Sequence, residues 1–133
     1  DRWQICRFSP PSHVMIDVGV AVAGHGGFDA PLEFKTSATV VDFITPETEQ
    51  TMWYFWGLAR RFKPADPELT GQIREGQGRI FSEDREMLER QQRNLQTWPQ
   101  RRLMTLNIDA GGAHARRIIQ RMVAAEQAPV LVS

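Results

Sequence analysis

DPELTGQIREGQGRIFSEDREMLERQQRNL, residues 66–95, decides how the chain is read. Asp66 stands before Pro67, an acid at the N-cap position followed by proline at the first helical position, where a backbone N–H is dispensable. Wound at about 100° per residue, the stretch puts Leu69, Ile73, Ile80, Met87, Leu88 and Leu95 on one face. Asp84 falls in the middle of that face, one turn after Ile80 and one turn before Leu88. A carboxylate inside an apolar stripe needs a cation, a metal or hydrogen bonds, because burying an unpaired charge is strongly unfavourable. Four readings stand open. Gly76 and Gly78 break the helix and leave Asp84 capping a second one; Arg85 or a more distant arginine pairs with it; it lies at the rim; or it holds a metal.

Working outward, the residues before this stretch read as strands. Trp3–Phe8 alternates, and Ser9-Pro10-Pro11-Ser12 is a turn. His13–Ala23 is a second strand, with Val14, Ile16, Val18 and Val20 on one face. The loop Gly24-His25-Gly26-Gly27 has neither a GxGxxG pattern nor a following helix, so it is not a phosphate cradle. Leu32–Ile44 is a third strand and Gln50–Trp56 a fourth, joined by a turn with Pro46 at its second position. Thr51, Trp53 and Phe55 point one way, and Met52, Tyr54 and Trp56 the other. Connections this short make the strands antiparallel. After the long helix, Trp98-Pro99 is a stop, Leu103–Ile108 reads as a short strand, and Asp109 caps a last helix over Ala113–Gln127. Its basic face, Arg116, Arg117 and Arg121, reads as solvated or paired. The predicted class is α+β: an antiparallel sheet packed against C-terminal helices.

The 133 residues are 41% hydrophobic and 24% charged, which suits one globular domain with a core of its own. Net charge is zero, so nothing steers the chain toward nucleic acid or an anionic membrane, and no apolar run is long enough to span a bilayer. The one cysteine, Cys6, excludes an internal disulfide and a cysteine-held iron–sulfur cluster within the chain, and it fits a reducing cytoplasm. A start at Asp1-Arg2-Trp3, without methionine or signal peptide, reads as a piece of a longer protein. His13, His25 and His114 lack metal-pair spacing, and no serine has nucleophile-elbow context. An aromatic-lined sheet under a long helix can enclose a pocket for a flat apolar ligand; equally, Trp53, Phe55 and Trp56 can be ordinary core.

Four segments, in order and across nearly the whole chain, resemble the C-terminal part of the catalytic subunit of Rieske non-haem iron oxygenases, in the group of vanillate O-demethylase and dicamba monooxygenase. They are Asp1-Arg2-Trp3 with Ile16-Asp17-Val18-Gly19-Val20; Thr45-Pro46-Glu47-Thr48 with Tyr54-Phe55-Trp56-Gly57 and Arg60 or Arg61; Phe81-Ser82-Glu83-Asp84 with Glu89 and Gln91-Gln92; and Asp109-Ala110-Gly111 with Arg116-Arg117. The resemblance implies the later portion of a START-like helix-grip fold, with residues 1–133 forming the C-terminal part of the catalytic domain. It makes Asp84 the carboxylate of a 2-His-1-carboxylate site for mononuclear Fe(II), whose open positions admit O2 and substrate. It places the two iron-binding histidines and the [2Fe-2S] Rieske cluster upstream of Asp1. It implies a small aromatic substrate, O2, an electron-delivering reductase or ferredoxin, and a homotrimer. This chain alone is then inactive. The competing class is a helix-grip module that binds a hydrophobic ligand without iron.

The sequence departs from the resemblance at the pocket. Where members often carry histidine, four residues before the turn proline and just before the Tyr-Phe pair, this chain has Asp42 and Trp53. Asp42, Trp53, Phe55 and Ile16 are the expected pocket residues. A charged Asp42 would repel an aromatic carboxylate, which favours a bulkier or non-anionic substrate bearing a hydroxyl or amine.

Overall fold

The computed structural model describes residues 1–102 and 104–127. Four strands come first: β1 (Arg2–Ser9), β2 (His13–Ala21), β3 (Lys35–Pro46) and β4 (Met52–Arg60). Two helices follow, α1 (Pro67–Thr97) and α2 (Ala110–Gln127). The strands form one antiparallel sheet in the order β1-β2-β3-β4. The fold is α+β, as the alternation required.

Register sets the two faces of the sheet. Asp42 lies opposite Val14 on β2 and Trp56 on β4, Val40 opposite Ile16 and Leu58, and Ile44 opposite Tyr54. Because side chains alternate, the even-numbered residues of these strands share one face: Cys6, Val14, Ile16, Val40, Asp42, Tyr54 and Trp56. The odd-numbered residues share the other, among them Trp3, Met15, Phe43, Trp53 and Phe55. On that outer face the Trp3 ring lies over Gly19, where a Cβ would come within 2.0 Å of Cζ2. The Trp3 indole donates to Asp17 Oδ1 at 3.2 Å and meets Phe28 edge-on, 5.8 Å between centroids.

α1 is one unbroken 31-residue helix. Asp66 accepts from the Leu69 N–H at 2.9 Å, the expected cap. Gly76 and Gly78 do not interrupt it, so Asp84 caps nothing. Arg60, the last residue of β4, fastens the sheet to the helix start: Nη2 lies 3.0 Å from the Asp66 carbonyl and 2.8 Å from Thr70 Oγ1. At the far end Gln96 donates to Gln50 at 2.5 Å.

Several expected boundaries move. Leu32–Phe34 forms a 3-10 turn, so β3 starts at Lys35. β4 runs on through Gly57 to Arg60, because its pairing with β3 continues to Ala38. Leu103 lies outside the described residues; Met104–Leu106 forms no strand and Asn107–Asp109 is a 3-10 turn. Asp109 Oδ2 accepts the Leu106 N–H at 2.8 Å, which closes that turn, and α2 then begins at Ala110, three residues earlier than expected.

The expected core is only partly assembled. Among the described residues, Ala30 and Val40 are the buried apolar residues. Ile80, Met87 and Leu88 on α1 remain exposed, as do Trp53 and Phe55 on the outer face. No helix among the described residues is long and apolar enough to cross a membrane.

Candidate functional site

The site lies where the middle of α1 crosses the even face of β3 and β4. Phe81 carries the crossing. Its ring meets Tyr54 edge-on at 5.5 Å and tilts against Trp56 at 5.1 Å. One turn earlier, the open Cβ position of Gly78 faces Trp56 at 3.7 Å. One turn later comes Asp84.

Asp84 is exposed and lies on the side of α1 that turns toward Tyr54, whose phenol feels its charge. Among the described residues it joins no ion pair: Arg85 turns instead to Glu89, 3.9 Å away. Of the structural readings open at the sequence level, the helix break and the Arg85 pair are excluded, and a place at the rim agrees with the geometry. Among the described residues no three His, Cys, Asp or Glu side chains gather as a metal site.

Asp42 is the buried acid of the molecule, 4% exposed, and its Oδ1 has no hydrogen-bond partner. Burial pushes its pKa above the ordinary carboxylate value, and a hydrogen bond with the Tyr54 hydroxyl pulls it partly back. Tyr54 is held strongly in its protonated form. Burial raises its pKa most, followed by the hydrogen bond to Asp42 and the charges of Asp42 and Asp84. Tyr54 sits diagonally from Asp42 across the β3–β4 ladder, so the pairing follows from register. Beside this cluster a cleft of about 540 Å³ runs between β4 and the first turns of α1, bordered by Tyr54–Trp56, Leu58, Arg60, Thr70, Ile73 and Arg74.

The expected pocket residues therefore divide. Asp42 and Ile16 share the helix-facing side of the sheet, whereas Phe55 borders the cleft only from its place between Tyr54 and Trp56 on β4, its ring standing on the outer face. Trp53 does not join them: strand alternation turns it to the outer face, where it is 57% exposed and stacks on the Phe55 ring at 6.5 Å. Tyr54, Trp56 and Phe81 were not among the expected site residues. The signal for the first two was in the sequence, since a turn at Pro46–Met52 fixes Asp42 opposite Trp56.

The family described as the vanillate O-demethylase oxygenase C-terminal domain matches residues 1–125. The chain belongs to that family. It is 69% identical over 128 residues to a vanillate O-demethylase oxygenase subunit of a Pseudomonas sp., covering 96% of this chain and 39% of that protein. A second Pseudomonas subunit of the same name is 65% identical over 127 residues, covering 96% and 36%. The iron-sulfur subunit of a toluene-4-sulfonate monooxygenase system from Comamonas testosteroni is 36% identical over 129 residues, covering 95% and 37%. The chain thus spans under two-fifths of the length of these curated relatives. No solved structure matches it at a significant level.

Proposed function

We propose that this chain is the C-terminal part of the catalytic domain in the oxygenase component of a Rieske non-haem iron system that demethylates a methoxylated aromatic compound. The observation that carries the reading is the 69% identity, over nearly the whole chain, to a subunit named for vanillate O-demethylation. The balanced reaction is Ar–OCH3 + O2 + 2 e⁻ + 2 H⁺ → Ar–OH + CH2O + H2O. Electrons come from a reductase or ferredoxin, and the [2Fe-2S] cluster that receives them lies outside this chain, whose single Cys6 cannot hold it. A ring-shaped homotrimer in the cytoplasm and a START-like grip of the sheet on α1 belong to the same reading.

Asp84 fits one arm of a 2-His-1-carboxylate site. It is an anionic donor on a rigid helix, unpaired by any cation among the described residues and open to a metal from its exposed side. The two histidine donors lie elsewhere in the polypeptide. When bound, Fe(II) supplies O2 activation at its open positions. Everything else falls to the chain's own side chains. The cleft beside Tyr54 and Trp56 offers an aromatic ring apolar and π surface. Tyr54 offers a hydrogen-bonding group at its wall, with Asp42 buried behind it. Asp42 is buried and does not border the cleft, so acidic and neutral aromatic substrates both stand as candidates.

The test is turnover by the full-length protein with its reductase. Formaldehyde should appear with O2 uptake from vanillate or from guaiacol, which lacks the carboxylate; the ratio of the two rates reports which substrate charge the pocket accepts. Absence of O2-dependent formaldehyde from every methoxylated aromatic tried would overturn the assignment.

A further inference from the structure

Near Asp84, α1 is held to the sheet through aromatic contacts to Tyr54 and Trp56 on β4. The described part of α1 is tied at its start to Arg60 of β4, at its end through Gln96 to Gln50 in the loop between β3 and β4, and near its middle to the sheet through Phe81. The Phe81 ring sits against both Tyr54 and Trp56 on the same face of β4, 5.5 and 5.1 Å between centroids. Trp56 also reaches Gly78, where the absence of a side chain lets the indole approach the helix. Behind this clamp the buried Asp42 lies diagonally across the β3–β4 ladder from Tyr54. Residues three apart on a helix are neighbours on its surface, so the segment the clamp fixes includes Asp84.

We propose that Phe81, seated between Tyr54 and Trp56, is a positioning residue that sets where the Asp84 carboxylate stands relative to the rest of the iron site. This rests on Asp84 being the iron ligand. Among the described residues Asp84 has no hydrogen bond or ion pair from a neighbouring side chain to steer it, so its position comes from the helix backbone, and the helix backbone takes its position from the clamp. The 31-residue helix has many exposed residues on either side of the contact.

The experiment uses the full-length subunit carrying its Rieske cluster. Two quantities are read besides activity: the affinity of the mononuclear site for Fe(II), and the EPR spectrum of its nitric oxide adduct. The reduced-cluster EPR signal serves as the check on folding. Phe81→Leu should weaken Fe(II) binding by about tenfold or more, the size seen when groups that orient a ligand are lost. It should also change the rhombicity of the nitric oxide adduct. Phe81→Tyr, which keeps the ring, should restore both. If Phe81→Leu loses the cluster signal, the milder Trp56→Phe decides: it thins one wall of the clamp and should shift the adduct spectrum in the same direction. Unchanged affinity and an unchanged adduct spectrum in the folded variants overturn the proposal. Asp84→Asn run in parallel separates the two levels. Iron lost in that variant but untouched in the clamp variants sinks only the positioning role; iron kept in Asp84→Asn sinks the ligand assignment beneath it.

Discussion

Replacing Asp42 by asparagine should stabilise the chain at neutral pH. Asp42 is 4% exposed, and its Oδ1 has no partner. A buried polar atom left unsatisfied costs about 1–3 kcal/mol, and the cost is greater for a charged one. Its pKa is raised in the folded chain above the ordinary 3.8, chiefly by burial. The sign follows from proton linkage. The folded state holds this proton more tightly than the unfolded state. The stability Asp42 contributes is therefore fully present below pH 3.8 and is lost as pH rises through the folded pKa. At pH 7 the native side chain bears a penalty that a neutral amide of the same shape lacks, and the amide can still meet the Tyr54 oxygen. Asp42→Asn should then gain about 1 kcal/mol at pH 7, or about 4 °C in Tm for a domain of this size. The gain should shrink toward zero as pH falls to about 4. Thermal unfolding of both forms across pH 4–8 measures it. A lower Tm for Asp42→Asn at pH 7, or a gain that stays constant with acidification, would refute the electrostatic account of this residue.

Gly19→Ala should destabilise by about 2–4 kcal/mol. Its Cβ would sit 2.0–2.6 Å from Trp3 ring atoms, forcing the indole off Asp17 and Phe28; urea unfolding measures this, and a loss under about 0.5 kcal/mol would show that the ring moves aside freely. Asp66→Ala should cost about 1 kcal/mol by freeing the Leu69 N–H, while Asp66→Asn keeps most of the cap.

The strands were legible because alternation with a period of two survives tertiary packing, and the short turns left no room for parallel pairing. α1 was legible from Asp66-Pro67 onward. Its two inner glycines mislead a local reading, since each weakens a helix by only about 1 kcal/mol relative to alanine and a long helix absorbs that. The face of α1 was harder. The stripe through Ile80, Met87 and Leu88 is left exposed, while Phe81, outside that stripe, makes the contact with β4. Periodicity ranks faces by hydropathy, but one aromatic ring between two others decided this crossing. Leu103–Ile108 looked like a strand from its apolar residues, yet Asp109 closes a 3-10 turn on Leu106 and takes Asn107–Asp109 out of extended geometry. At the site, Asp84 drew notice as a charge within an apolar stripe, and Asp42 as a departure from a family pattern. Tyr54 needed the hairpin register, which single-strand reading does not supply. The family pattern groups Trp53 with Asp42, although the register puts them on opposite faces.

The most direct test is the mononuclear iron content of full-length Asp84→Asn beside the wild type, with the Rieske cluster spectrum recorded on the same samples. The account predicts that the cluster spectrum stays and the mononuclear iron is lost, together with formaldehyde release. An Asp84→Asn protein that keeps its full complement of mononuclear iron and turns over normally would contradict it.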